Sequence, residues 1–569
     1  MRIALAGLVG ISLAVSASSA VAQWPMTPTS ALAIGDGTGQ QANSRLVAAA
    51  DGSCYVSWFD SRSTPFQPML QRLSASGVEQ WAHNGISFAA NTNTGLYEPY
   101  PCLAVDAAGN AYIAFTDTSA GVINAHVTVN KVSPAGVKLW GETGISVPDS
   151  SSSTPGAKLA VLSNGDVVVG CAISSVLKLT RFNSSGVQLG TTINISEPGH
   201  SMLMSDLCDG GNGSVIALWQ RNAGTSFNSL HSLYMQKFDT AGNAMWPVTP
   251  GATAVVLYGT TGGIAGGYFP TLTPDGNGGA VCGWYELTGP AGSGAFSNAL
   301  VQHVRSNGVF RFQANGLPVS PRPNATSGAT MSVGCTADYL PETDEIVATW
   351  VETLAAQQLA NYAVYAQKIG VTDGIDGSEK WASGGIVLRA VDGFTQPAII
   401  TTRASQGGCY SLWLTNLNAA NGTIEAQRID ASGTKLWNSG DPLVFGPTPG
   451  YYGNRLGAAC LASGDLAVSF SQSPSLSTSG SDLFVTRLKA DGTFGITPCN
   501  AADVAGFGGS QGPDGQVTVD DIVFYLSNFF SGTLAVADVA GFGGGATPDG
   551  QITVDDLVYF LSQFFSPCN

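Results

Sequence analysis

The sequence predicts a mainly β protein: an eight-bladed β-propeller closed by its own N-terminal strand, then a small α-helical module built on tandem acidic loops. Three observations predict it. A hairpin of apolar strand, Gly turn and aromatic-ended strand recurs eight times. A second hairpin follows each first one, in most copies with an aromatic four residues after its Gly. Gly is 72 of 569 residues and charged residues are 11%, against usual shares of ~7% and ~25%. That is the composition of many short buried strands and many turns, not of a disordered chain.

Residues 1–22 are expected to be a signal peptide. Met1-Arg2 gives a small positive start, Ile3 to Val15 is apolar, and Ala20-Val21-Ala22 forms an A-x-A cleavage signal before Gln23. No later stretch approaches the ~20 apolar residues of a membrane span. The expected destination is secreted, extracellular or at the cell surface, where cysteines can form disulfides. With 23 Lys+Arg against 39 Asp+Glu and a net charge of -16, the chain lacks the basic face that nucleic acid requires.

Residues 23–497 carry the repeats. The first hairpin reads Arg45 to Trp58 around Gly52, and Cys102 to Phe115 around Gly109. It returns at Gly213–Trp219, Gly278–Trp284, Asp344–Trp350 and Gly407–Trp413, with weaker copies at Asn164-Gly165 and Ser463-Gly464. The second hairpin reads Gln71-Arg72 to Trp81 and Gln427-Arg428 to Trp437. Related copies begin at Lys131, Thr180, Gln236, Gln302, Gln367 and Thr486. Eight units of about 59 residues, each with four short strands, read as propeller blades, and the Trp and Phe positions read as inter-blade core. Unit eight stops early after Gly492. The segment Gln23-Trp-Pro-Met-Thr-Pro to Ile34 aligns with Met245-Trp-Pro-Val-Thr-Pro to Val256, the fourth strand of unit four. The N-terminal strand is therefore expected to complete blade eight and remove an open sheet edge. Arg72 through Ile86 and Arg428 through Trp437 resemble a secreted bacterial propeller repeat, over about 470 residues. That resemblance implies the fold and no activity.

Each unit holds one cysteine: Cys54, Cys102, Cys171, Cys208, Cys282, Cys335, Cys409 and Cys460. Odd units place it after the Gly turn and even units before it. This alternation suggests bridges between neighbouring blades. Two sets fit: the favoured Cys54-Cys102, Cys171-Cys208, Cys282-Cys335 and Cys409-Cys460, or the shifted Cys102-Cys171, Cys208-Cys282, Cys335-Cys409 and Cys460-Cys54.

Residues 498–569 form a close duplication. Asp503 and Pro513-Asp514-Gly515-Gln516-Val-Thr518-Val-Asp520-Asp521 return as Asp538 and Pro548-Asp549-Gly550-Gln551-Ile-Thr553-Val-Asp555-Asp556. A calcium loop takes six to eight oxygens around a Gly at position six. Anchoring Asp514-Gly515 at positions five and six puts the Gln516 carbonyl at seven, Thr518 at nine and Asp521 at twelve. Asp549, Gln551, Thr553 and Asp556 match them in the second loop. Helices are expected from Val519 to Phe530 and from Val554 to Phe565. The tandem is similar to a type I dockerin, of the GC-type variant, which implies calcium and a cohesin-like or cell-surface partner. It departs from that pattern at positions one and three, Ser510 and Gly512, so Asp503 and Asp538 are expected to supply the missing ligands. Cys499 and Cys568 bracket the module and are expected to tie its ends.

For an enzyme, the sequence offers little. The sialidase box S-x-D-x-G-x-x-W is absent, the five histidines (His83, His126, His200, His231, His303) show no metal spacing, and no G-x-S-x-G elbow precedes a helix. Asp60, Asp117, Glu286 and Glu352 follow the second strand of their blades, so a rim pair for glycoside cleavage is one reading and solvated strand ends the other. The expected function is a non-catalytic propeller scaffold or binding protein, taking a polysaccharide or protein ligand and anchored through a calcium-dependent dockerin-like module. The alternative is a propeller-fold glycoside hydrolase or lyase carried by that module.

Overall fold

A computed structural model describes residues 24–566, apart from residues 26, 63–65, 89–100, 153–155, 223–230, 248–253, 260–262, 265–267, 287–297, 320–330, 354–361, 391–397, 405–406, 416–421, 447–451, 475–479, 496–498, 507–508, 512 and 514. The signal peptide, Asp514 and Cys568 lie outside the described residues. The chain divides into two compact units, a propeller from Trp24 to Gly495 and a C-terminal unit from Ile496.

The propeller is mainly β, with eight sheets in ring order, and in seven of them four consecutive strands pair in sequence order or nearly so. Blade one is Gln41–Ala48, Cys54–Asp60, Gln67–Leu73 and Ile86–Ser87. Blade six adds a fifth strand, Ile386–Arg389, on Tyr362–Thr372. First strands of adjacent blades touch one another, so they line the ring axis. Second strands such as Cys54–Asp60 and Ala111–Asp117 are buried at every residue, because a neighbouring blade covers each face. Blade eight takes its outer strand from the other end of the chain: Leu32–Gly35 pairs antiparallel with Asp482–Leu488.

The repeated motif is a set of inter-blade bonds. In blade seven the Gln427 amide is fully buried. Its Oε1 accepts the Trp437 backbone N–H at 2.9 Å and its Nε2 donates to Asp441 O at 2.8 Å. This satisfies a buried amide and fixes the entry of the fourth strand. Trp437 Nε1 then donates to Ala490 O of blade eight at 3.0 Å. Trp81, Trp140, Trp246 and Trp381 make the same reach to the following blade. Trp24 does it for blade eight, donating to Ala75 O of blade one at 2.8 Å. The ring thus closes with the bond used at five other junctions.

The Gly of the second hairpin is needed twice over in most blades. Gly433 has φ +93, and a Cβ there would lie 2.7 Å from the Trp381 ring of the preceding blade. Gly433→Ala should therefore cost about 2–4 kcal/mol, from left-handed strain plus a displaced ring, read as a lower urea midpoint. An unchanged midpoint would show that the ring does not seat on this turn.

The C-terminal unit contains helices α1 (Val519–Ser531), α2 (Leu534–Ala537) and α3 (Val554–Phe564). Thr518 and Thr553 begin the two long helices with capping boxes closed by Asp521 and Asp556. Tyr525 and Phe560, equivalent residues of the duplication, stack at 3.8 Å between ring centroids in the centre of a small core.

Candidate functional site

The eight propeller cysteines are thiols in this structure, which corrects the expected bridges. Their side chains do not face as the favoured set requires. Cys102 packs with Cys171 in the interface of blades two and three, its Sγ 3.0 Å from Ala157 O. Cys208 and Cys282 share the interface of blades four and five. Cys335 faces blade five, Cys409 blade six and Cys460 blade seven, and the Cys54 thiol feels the charge of Arg487 of blade eight as well as that of Arg72 of its own blade. Cys54-Cys102, Cys171-Cys208, Cys282-Cys335 and Cys409-Cys460 are each split between different interfaces. The shifted set also fails as a ring, since Cys335 and Cys409 do not share an interface. Side chains alternate between faces along a strand, so an offset of one residue relative to the turn reverses the direction that the alternation in sequence suggests. Cys499 is disulfide-bonded. Burial pushes the thiols of Cys54, Cys171, Cys335 and Cys409 up to about 12. The native protein should resist Ellman's reagent at pH 8, and in guanidinium it should titrate eight thiols. A denatured count near zero would restore the bridges.

The four carboxylates considered for catalysis are internal braces. Asp60 is buried and accepts from Trp58 Nε1 at 3.4 Å and from Arg62 Nε at 3.0 Å. Burial pushes its carboxyl up, but the Arg62 bonds and charge outweigh this and hold it below the usual range. Glu352 is buried and accepts from Trp350 Nε1 at 3.0 Å. Glu286 accepts from Asn298 and Asp117 from the Ser119 N–H. Each is occupied within its own blade, and they form neither a facing pair nor the solvated strand ends that were the other expectation.

In the C-terminal unit the acidic residues hold the backbone. Asp521 Oδ1 accepts the Val504 and Ala505 N–H groups, both at 2.8 Å, and Oδ2 accepts the Thr518 N–H at 2.7 Å and its hydroxyl at 3.3 Å. Asp556 repeats this with Val539, Ala540 and Thr553. Four bonds use the roughly four lone-pair positions of a carboxylate, so neither residue has one left for a cation. Asp503 accepts the Cys499 and Gly515 N–H groups, Asp538 those of Asp549 and Gly550, and Asp549 that of Gln551. The Thr518 and Thr553 hydroxyls accept from Asp520 N and Asp555 N. Among the described residues no three acidic, His or Cys groups converge to hold a metal. In this arrangement the described members of the donor set are engaged with the backbone, and Asp514 lies outside the described residues.

The third strand of blade five departs from the repeat in residue type. The residue after the Gln, Asn or Thr of the third strand is Arg72, Lys131, Arg181, Lys237, His303, Lys368, Arg428 or Arg487. Six of the seven long cations staple forward, among them Arg487 to Ala75 O at 2.6 Å, Arg428 to Ala490 O at 2.7 Å and Lys237 to Gly278 O at 2.8 Å, and Lys368 pairs with Glu345 of its own blade at 2.9 Å. Blade five has His303, too short to cross. Its Nε2 is 2.8 Å from Asp275 Oδ2 in its own blade, its ring lies 5.3 Å from that of Tyr339, and its buried Nδ1 has no hydrogen-bond partner among the described residues. Burial pushes the Asp275 carboxyl up, and the bonds from His303, Gly279 and Asn277 with the His303 charge bring it below its ordinary value. The crossing passes to Arg311, which donates to Asp344 at 3.0 Å and Asp376 at 2.9 Å. Where the staple is missing, a cleft of about 380 Å³ opens between blades five and six, lined by Asp275, His303, Arg305, Ser306, Tyr339 and Asp344 among others. By metal spacing His303 is only one of five scattered histidines. The signal was the only non-Lys/Arg residue in a repeated column.

No protein-family model and no curated protein matches the chain. Among solved structures it is similar to an ulvan lyase of a polysaccharide lyase family, at 11% identity and a TM-score of 0.39, over 71% of this chain and 96% of that one. It is also similar to prolyl endopeptidases, at 13% identity and a TM-score of 0.37, over 78% of this chain and 54% of that one. A protein of unknown function from Dyadobacter fermentans is similar at 9% identity and a TM-score of 0.33, over 82% of this chain and 98% of that one. Likeness at this level carries nothing about activity.

Proposed function

We propose that the protein is a secreted, non-catalytic propeller that presents a binding surface and is held at a cell surface or in an extracellular assembly by its C-terminal tandem module. One observation carries the anchoring role. The two halves of the duplication expose the same apolar side chains to the same extent: Val519 and Val554 at 67%, Val523 and Val558 at 61% and 60%, Phe530 and Phe565 at 80%. Apolar groups held in water at matched positions suit a docking partner, since exposed apolar patches mark interaction sites. The dockerin-like pattern makes that partner a cohesin-like or cell-surface protein. Calcium enters this reading only through a rearrangement in which the ion draws Asp521 and Asp556 off the N–H groups they now hold.

The test is retention of the full chain on its native cells. Phe530→Asp with Phe565→Asp should release it to the medium with an unchanged melting temperature. Retention equal to wild type would defeat the anchoring role. A carbohydrate-active enzyme remains the alternative, and release of reducing ends from a polysaccharide would establish it.

A further inference from the structure

Blade eight, made of Tyr452–Cys460, Leu466–Ser473, Asp482–Leu488 and Leu32–Gly35, shortens two side chains that pack the entry of the fourth strand in five other blades. The second-strand position of Trp58, Trp219, Trp284, Trp350 and Trp413 is Phe470. The third-strand position of the buried Gln71, Gln236, Gln302, Gln367 and Gln427 is Thr486. In blades one, five and six the Cη2 tip of the Trp ring reaches the glycine that leads into the fourth strand. A Cβ on Gly85, Gly316 or Gly385 would lie 2.9, 2.7 or 2.5 Å from it. In blade eight the residue in that place is Ala31, since Leu32 pairs with Val485 as Ile86 pairs with Leu70. A phenyl ring lacks the second ring of an indole, and Thr486 cannot span to the fourth strand as Gln427 does to Asp441 O. Blade three shortens both positions too, but its fourth strand fills the space, with Thr192 Oγ1 3.1 Å from Thr180 Oγ1. In blade eight the space stays open. Phe470, Thr486 and Ala31 line a cavity of about 430 Å³ between blade seven and the closing strand, within the ~300–1,000 Å³ of small-molecule sites. We propose that this cavity binds a free, uncharged aromatic compound of one or two rings, which takes the place of the missing indole.

The lining selects that chemistry. Among the described residues that form it, none carries a charge, in a chain with a net charge of -16. A charged ligand would give up its hydration with no counter-charge to meet it. The apolar surface is aromatic in large part. The half-buried Phe484 ring stacks on Phe470, with centroids 5.8 Å apart and planes at 21°, and Phe445 lies across from them on blade seven. A ligand ring laid against Phe484 continues that stack, a geometry that favours aromatic over saturated rings. The cavity opens to solvent past Val444, Pro28, Thr29 and Ser30, all exposed. The Thr29 and Ser30 hydroxyls at this rim suit a hydroxyl or N–H on the ligand's edge.

The assignment deepens the binding role proposed for the propeller and rests on that role, not on the C-terminal anchor. The full chain is titrated calorimetrically with indole and with para-cresol. Indole-3-acetate and tryptamine are the charged arms, cyclohexanol the saturated arm, and N-acetyltryptophanamide stands for a partner protein's side chain. Indole or para-cresol should bind with a Kd of about 1 mM or tighter, the range open to ligands of this size, and the other four at least tenfold more weakly. Phe470→Trp restores the ring of five other blades and fills the cavity. It should weaken binding at least tenfold without lowering the melting temperature. Val444→Glu changes an exposed position, leaves the core alone and places a charge at the mouth, and it should weaken binding as much. Wild-type binding strength in Val444→Glu or in a folded Phe470→Trp overturns the proposal. So does equal or tighter binding of a charged arm, of cyclohexanol or of N-acetyltryptophanamide, or no binding of either free aromatic compound. Phe530→Asp with Phe565→Asp should leave indole binding unchanged, so the anchor and the cavity fail separately.

Discussion

Deletion of residues 23–34 should lower the melting temperature of the propeller by about 5–9 °C. The segment places Trp24 at 2% exposure, Leu32 at 8% and Ile34 at 0%. Burial of three such side chains contributes roughly 5–9 kcal/mol at about 1.5–3 kcal/mol each. Unfolding roughly 470 residues at ~2.1 cal/mol/K each has an entropy near 1 kcal/mol/K, so one kcal/mol corresponds to about one degree. The deletion also exposes the edge of Asp482–Leu488, now paired with Leu32–Gly35, and an uncovered edge invites association between chains. Aggregation on heating should rise with the fall in stability. Trp24→Ala keeps the strand and removes the bond to Ala75 O together with the ring seated on Gly77. It should account for about 3–5 kcal/mol of the total. A deletion variant that melts within a degree of wild type would mean that this strand does not close the ring.

The fold was legible because its repeat is a set of bonds that each need particular residues. Gln427, Trp437 and Gly492 form one chain of contact, from amide to indole to a turn with no room for a Cβ. The spacing of Gln, Gly and Trp therefore had to recur wherever two blades meet. The likeness of Trp24-Pro25 to Trp246-Pro247 pointed to the closing strand for the same reason. The cysteines were misread because their facing depends on parity relative to the turn. Cys208 pairs with Ile216 directly beside its turn, whereas Cys335 pairs with Trp350 several positions from its own. Position before or after a turn fixes the strand and not the side. The acidic residues are ambiguous in sequence for a different reason. Asp-Gly turns and Thr-x-x-Asp starts serve a calcium loop and a capping box equally well, and only hydrogen-bond direction separates them. His303 was legible in principle, since the staple column needs a long cation and His is not one.

Replacing Asp521 or Asp556 with Ala should unfold the C-terminal unit, and removing calcium should not. Each carboxylate holds three backbone N–H groups from two segments. Deleting it strands three donors at about 1–3 kcal/mol apiece, roughly 3–9 kcal/mol in all. In a domain of 60–100 residues one kcal/mol moves the midpoint by about 4–8 °C, so a loss of this size removes most of a small domain's stability. In the full chain, the helical signal at 222 nm should melt tens of degrees earlier in either variant, while the propeller transition stays in place. Wild type in EDTA and in millimolar Ca²⁺ should give superimposable helical transitions. Acid supplies the complementary evidence. Burial pushes the Asp556 carboxyl up, but the N–H groups of Thr553, Ala540 and Val539 and the Thr553 hydroxyl outweigh it and hold it low. Its contribution is complete above the ordinary Asp value near ~3.9 and is lost as the pH falls through the lower folded value. The helical transition should therefore be flat from pH 7 to 5 and fall steeply below about pH 4. A unit that unfolds in EDTA at pH 7, or that gains tens of degrees on adding Ca²⁺, would mean that the ion does draw these carboxylates off the backbone, as the dockerin-like pattern implies.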